Sequence, residues 1–259
     1  MKLLDQFIGP RLHHLKMVGY NFAVHRRLDL PDNINIEVSK ACNRRCHYCP
    51  QSVAPFKQEV ISEHIWNLFK ARLAEYGWRG AVVITKYSEV SLVTHSERYV
   101  SELAAIGCKP MLFTNGDRPD VLRRWIEAGA FRIIVTEHPP FKEGWREPIA
   151  ALEREFSKVM RVRRLDASVL HNQAGHVEMK ADEFTPLERC YSAHALYVNM
   201  DGSCSMCCLD YYSKEIVGDI RQKTMAQVWA GYRQIRKTLA GGEPATEMCR
   251  SCFGLETAT

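Results

Sequence analysis

The chain has no long apolar run. Its hydrophobic stretches are short, as at Ala81 to Thr85, against the roughly 20 residues that cross a bilayer, so no membrane span is expected. Low-complexity tracts, long linkers and self-similar repeats are also missing, which excludes disordered, fibrous and solenoid architectures. The first residues mix Lys2, Asp5, Arg11, His13 and His14 among apolar neighbours without a clean hydrophobic block. That is not the pattern of a secretory signal, and a cytoplasmic location is expected. Neither charge sign dominates: 35 Lys and Arg face 30 Asp and Glu, a formal charge of +5. No nucleic-acid partner is inferred from that balance, the more so as bound thiolates would lower it further.

Cysteine is plentiful: the 259 residues hold ten. In a reducing compartment such thiols serve as metal ligands or catalytic groups rather than as disulfides. Their spacing falls into two sets.

The pattern around those sets is that of an α/β protein. Ile34 to Val38 alternates as a strand, and the first cysteines follow it directly. Next come an amphipathic helix with Ile61, Ile65, Leu68 and Leu73 on its apolar face, a strand at Ala81 to Thr85 and a helix near Ser96 to Ile106. A strand at Pro110 to Thr114, a helix from Pro119 to Ala128 stopped by Gly129, and a strand at Phe131 to Thr136 continue the series. A helix at Pro148 to Phe156 and a strand at Lys158 to Arg164 complete it. Five strands with four intervening helices argue for a parallel sheet or barrel, in which the loops after the strands carry the chemistry. Arg161 and Arg163 alternate onto one face of the fifth strand, toward either a bound anion or a helix Glu.

After about Thr185 the pattern changes. Ala195 to Asn199 and Ser203 to Cys207 read as a hairpin around Asp201-Gly202, with a single helix from Met225 to Leu239. Three regions are therefore expected: residues 1–33 as an N-terminal cap of the barrel floor carrying Phe7, Ile8, Leu12 and Leu15, residues 34–184 as the barrel, and residues 185–259 as a small appendage held by its ligands.

Cys42, Cys46 and Cys49 are spaced C-x3-C-x2-C on the loop after the first strand. Three thiolates on one loop suit an iron-sulfur cluster with one iron left open, or a zinc ion completed by His47 or a distant residue. The run Cys42-Asn-Arg-Arg-Cys46-His-Tyr48-Cys49, with an aromatic residue before the third cysteine, resembles the signature of the radical S-adenosylmethionine superfamily. That resemblance implies a partial (β/α)6 TIM-like barrel and a 4Fe-4S cluster whose open iron chelates S-adenosylmethionine. The cofactor is cleaved there to a 5′-deoxyadenosyl radical.

The resemblance also implies cofactor contacts. Tyr48 belongs to the cluster loop. Tyr87-Ser88-Glu89-Val90 stands where many members have Gly-Gly-Glu-Pro, so only Glu89 matches. Thr114-Asn115-Gly116, Thr136 and Asn172 occupy places where members reach the cofactor, although ordinary turn chemistry could explain each. A true Gly-Gly-Glu-Pro at Gly241 to Pro244 follows a helix and reads as a helix stop.

Cys190, Gly202 and Cys207 fit C-x11-G-x4-C, and Cys249 and Cys252 close the set with C-x2-C. Four thiolates hold either a closed 4Fe-4S cluster or the zinc of a ribbon. This set resembles the shortened SPASM, or twitch, extension of radical enzymes, which implies one auxiliary cluster and two clusters in all. Cys204 and Cys208 stand close enough in sequence to replace Cys207, or to act as hydrogen donors facing a radical. Cys108 reads as a small buried apolar residue.

A family member of this size and cluster plan oxidises an alcohol, which makes two-electron oxidation the first expectation and radical epimerisation or peptide modification the alternatives. A small-molecule substrate is expected over a peptide, because the stretch before the first strand is short for a recognition domain. A reducing partner such as flavodoxin or ferredoxin is implied. The non-enzymatic alternative is a zinc-stabilised binding module.

Overall fold

The computed structural model describes residues 15–19, 21–23, 25, 29–138, 143–165, 172–178, 186–188 and 190–255. The chain alternates β1 (Asn33–Ile36), α1 (Glu63–Tyr76), β2 (Ala81–Val83), α2 (Glu97–Ala105), β3 (Lys109–Thr114), α3 (Pro119–Glu127), β4 (Arg132–Glu137), α4 (Arg146–Glu155) and β5 (Met160–Arg164). The five strands pair in parallel in sequence order. Each follows the other because a right-handed helical crossover returns the chain to the same end of the sheet.

Strand periodicity sorts the side chains into two faces. Ile34, Ile36, Val82, Leu112, Ile133 and Val135 are fully buried under the helices. The opposite face carries Asn33, Asn35, Lys109, Met111, Phe113 and Arg132, and these line a cavity rather than a packed core. An apolar outer face and a polar inner one make the curled sheet a partial barrel with an open lumen.

Helix α1 shows how the outer layer is held. Ser62 caps it, its side chain accepting from Ile65 N, and Gly77 ends it in the left-handed region. Its buried face is Ile65, Trp66, Phe69 and Leu73, each contributing about 1.5–3 kcal/mol by leaving water. Ile61, expected on that face, lies before the helix: its N–H donates to Val38 O at 3.0 Å. Trp66 Nε1 donates to Glu102 Oε2 at 2.7 Å, so its polar edge is satisfied at the rim of the core.

The C-terminal region contains β6 (Ala195–Val198), β7 (Ser203–Ser205), β8 (Ile216–Asp219), α5 (Met225–Gly231), α6 (Arg233–Gly241) and α7 (Glu247–Cys252). β6 and β7 form the expected antiparallel hairpin, and Gly202 adopts φ +89 at its turn. Two features differ from expectation. β6 also pairs in parallel with β1, so the sheet order is β5-β4-β3-β2-β1-β6-β7-β8. The sixth parallel strand therefore lies beside β1 and not outside β5. The boundary placed between residues 184 and 185 falls outside the described residues.

The second difference is in the expected helix from Met225 to Leu239, which is two helices broken at Tyr232. Tyr232 is buried and its hydroxyl donates to Ala195 O at 2.9 Å, while the preceding Gly231 weakens helix continuation. Gly242, in the left-handed region, donates to Leu239 O and Thr238 O and stops α6. The Gly-Gly-Glu-Pro run is thus a helix terminus.

The stretch expected as an N-terminal cap is described in part. Met17 lines the barrel cavity, His25 stacks on Trp78 with ring centroids 5.2 Å apart, and Leu15 is exposed. Phe7, Ile8 and Leu12 lie outside the described residues. No helix among the described residues is long and apolar enough to cross a membrane.

Candidate active site

Cys42, Cys46 and Cys49 sit on the loop after β1. Cys49 N–H donates to Cys46 O at 2.9 Å, and a single 3-10 turn at Pro50–Ser52 follows directly. Arg44 N–H donates to Cys42 Sγ at 3.4 Å. Burial pushes the Cys42 thiol up to about 11, and it raises Cys49 as well. Thiolates here therefore call for strong cationic partners, which the irons of a cluster are.

These three residues face a cavity of about 320 Å³ shared with Tyr48, Glu89, Asn115, Thr136, His138, Arg163 and Gln173. Four of the five expected cofactor-binding residues are thereby gathered in one place. Glu89 is fully committed: Oε1 accepts from Thr114 Oγ1 at 2.8 Å and Ser91 N at 3.1 Å, and Oε2 accepts from Asn115 N at 2.8 Å. Its own N–H donates to Ala41 O at 2.9 Å. Burial still raises its pKa against these bonds. Asn115 Nδ2 donates to Asn43 Oδ1 at 2.9 Å, and Thr136 Oγ1 accepts from Arg163 at 3.2 Å.

Two features of this cavity were missed from sequence. His138, directly after β4, accepts the Tyr48 hydroxyl on Nδ1. Burial, with Arg44 and Arg163 nearby, drops its pKa to about 4, so the imidazole is neutral and can accept. Arg44 forks onto Asp117, with Nε at 3.0 Å from Oδ2 and an Nη at 2.5 Å from Oδ1, clamping the cysteine loop to the loop after β3. Arg44 lies inside the cysteine motif but nothing in the spacing names Asp117 as its partner, and for His138 position at a strand's C-terminal end was the available signal.

Asn172 is placed elsewhere than expected. Its Nδ2 donates to Ser251 O at 3.0 Å, against the C-terminal region. Its neighbour Gln173 lines the cavity instead and accepts the Tyr87 hydroxyl at 2.9 Å. Of the two strand arginines, Arg163 faces the cavity.

Cys190, Cys207, Cys249 and Cys252 line one enclosed cavity with Met206, Leu239 and Phe253. Cys249 and Cys252 stand three apart on α7, one helical turn, so both thiols leave the same face. Burial pushes Cys190 up to about 11 and Cys252 to about 12. All ten cysteines are free thiols. The donors of both sets are thiols alone, the ligation that iron-sulfur clusters take. The donor sets fit clusters of several irons.

The two cysteines expected as alternative ligands or hydrogen donors separate. Cys204 is buried in the main core and lines neither the cofactor-side cavity nor the lumen. Cys208 lines a second cavity, the barrel lumen of about 680 Å³, together with Asn35, Lys86, Tyr87 and Tyr197. The lumen and the cofactor-side cavity share Thr85, Lys86, Tyr87 and Phe113. Tyr211 ties the two regions together: its hydroxyl donates to Ala54 O at 2.5 Å and its ring stacks on Phe56 at 4.4 Å.

Residues 190–253 match SPASM, an iron-sulfur cluster-binding domain. The crystal structure of BtrN in complex with AdoMet and 2-DOIA superimposes with a TM-score of 0.72 at 24% identity, over 81% of this chain and 87% of that one. The chain has the fold of that AdoMet-binding structure. A further fold match, Streptococcus suis SuiB bound to precursor peptide SuiA, has a TM-score of 0.51 at 11% identity, over 92% of this chain and 74% of that one. In sequence, the chain is 24% identical over 238 residues to the S-adenosyl-L-methionine-dependent 2-deoxy-scyllo-inosamine dehydrogenase of Niallia circulans, covering 87% of this chain and 94% of that one.

Proposed function

We propose that this enzyme is a radical dehydrogenase that oxidises an alcohol carbon of a small molecule by two electrons. The observation carrying the reading is the enclosed four-thiol site of Cys190, Cys207, Cys249 and Cys252, next to a lumen with which it shares Leu209. With every ligand position filled by protein, that site is suited to accept an electron and not to bind substrate. Similarity along nearly the whole length of a small-molecule dehydrogenase supports the same reading.

When bound, the two 4Fe-4S clusters and S-adenosylmethionine would supply a hydrogen-abstracting 5′-deoxyadenosyl radical and an acceptor for the remaining electron. The substrate H–C–OH gives up a hydrogen atom from carbon, then a proton from oxygen and one electron, leaving C=O. Cys42, Cys46 and Cys49 would hold the first cluster. Tyr48, Glu89, Asn115 and Thr136 would shape the cofactor's pocket, with Glu89 fixing three loops around it. Substrate would lie in the lumen and meet the cofactor at Thr85, Lys86, Tyr87 and Phe113. A low-potential donor such as flavodoxin or ferredoxin and a cytoplasmic setting complete the reading.

Cys208 in the lumen favours a second reading, epimerisation by return of a thiol hydrogen. Turnover in deuterated water with a known substrate separates them. A carbonyl product formed with one equivalent of 5′-deoxyadenosine is expected; deuterium at an inverted carbon would overturn the dehydrogenase reading.

A further inference from the structure

The charges lining the lumen are unbalanced. Among the described residues that line it are the cations Lys86, Lys109 and Arg132 and one carboxylate, Asp32. Asp32 precedes β1, at the N-terminal end of the strands, far along the lumen from the cofactor side. On that side the carboxylate of Glu89 has both oxygens bound by Thr114, Ser91 and Asn115, so it has little to offer a cationic guest.

Lys86 stands apart from the other cations because it is the charged side chain common to both cavities. Its Nζ donates to Asn199 Oδ1 at 3.2 Å and Ser213 Oγ at 3.4 Å. Both partners are neutral, so they orient the ammonium without cancelling its charge. Glu37 acts on it through space but is buried in the wall and is not among the lumen-lining residues. A half-buried ammonium held by neutral acceptors at the junction of two cavities is a receptor for a negatively charged group. At that junction an ammonium-bearing guest would meet the Lys86 ammonium, and the Glu89 carboxylate on the cofactor side already accepts three hydrogen bonds.

We propose that the substrate is a small hydroxylated anion whose carboxylate or phosphate is received by Lys86. This rests on the dehydrogenase reading and departs from the amine in the relative's name. The anion anchors the guest where the lumen meets the cofactor side, and Arg132 extends the same field along the lumen.

The test is calorimetric titration of the reconstituted enzyme loaded with S-adenosylmethionine, without reductant so that no turnover occurs. The probes are myo-inositol 1-phosphate, D-gluconate, myo-inositol and 2-deoxy-scyllo-inosamine. At least one anion is expected to bind about tenfold or more tightly than the neutral and amine probes, the size of one charge-assisted hydrogen bond. Which anion wins distinguishes phosphate from carboxylate. Lys86→Gln is expected to abolish that advantage and Lys86→Arg to keep it.

The inference is overturned if the amine binds tightest or no anion binds. It is overturned equally if Lys86→Gln moves only the affinity for S-adenosylmethionine or the potential of the auxiliary cluster, because Lys86 would then serve those groups. The ranking of probes on the wild type decides even where Lys86→Gln fails to fold. Absence of a carbonyl product under reductant would strike the dehydrogenase reading and leave the binding result standing.

Discussion

Glu89 Oε2 accepts the backbone N–H of Asn115 at 2.8 Å, joining the loop after β2 to the loop after β3. Replacement by Gln would turn a donor toward that N–H and leave a buried group unpaired, which costs about 1–3 kcal/mol. Glu89→Gln is therefore expected to lower the melting temperature and weaken S-adenosylmethionine binding together. An unchanged melting temperature and affinity would show that the carboxylate does not organise these loops.

Iron content distinguishes the cysteines. Anaerobic reconstitution of the wild type should give about eight irons per chain from two four-iron clusters. Cys249→Ala, like Cys42→Ala, should drop this to about four, whereas Cys204→Ala and Cys208→Ala should leave it unchanged because neither lines the four-thiol cavity. Loss of iron from Cys208→Ala with retention in Cys207→Ala would exchange their roles.

The His138 imidazole gives a pH signature. Its pKa falls from 6.5 to about 4 in the folded chain, so between those values the unfolded chain binds a proton that the folded one refuses. The stabilisation is full above about pH 6.5 and drains away as pH falls toward 4. The melting-temperature advantage of wild type over His138→Asn should be widest near pH 7 and shrink by pH 5. A gap that stays constant across this range would count against the neutral imidazole as acceptor of the Tyr48 hydroxyl.

Ion pairs should differ by burial. Asp117 is wholly buried against Arg44, and Asp117→Ala strands a guanidinium, costing about 3 kcal/mol or more. The exposed pair Arg123–Glu155 is open to solvent on both sides, and Glu155→Ala should not measurably change thermal unfolding. Equal responses in the two variants would remove Arg44 and Asp117 as the clamp of the cysteine loop.

The two cysteine sets stand out in sequence because their thiols are few and closely spaced along the chain, and the structure brings each set to one cavity. The α/β alternation was readable because strand and helix periods are local properties. What depended on distant partners was not. Asn172 was expected at the cofactor because it follows β5, yet its amide is claimed by Ser251, 79 residues on. Tyr232 breaks a helix to reach Ala195 O, and β8 exists through pairing with β7 across a register shift at Cys204 and Ser205. Asn33, Asn35, Lys109 and Arg132 show the strand alternation plainly, but their cavity appears only when four strands curl together.

The placement of β6 against β1 makes the two halves of the enzyme inseparable. A truncated chain ending before Ala195 would leave the backbone groups of β1 uncovered along a central strand, a sticky seam that invites pairing with other molecules. The cluster-binding tail is therefore no detachable cassette: whoever removes it to study the radical chemistry alone should find inclusion bodies in place of a simpler enzyme.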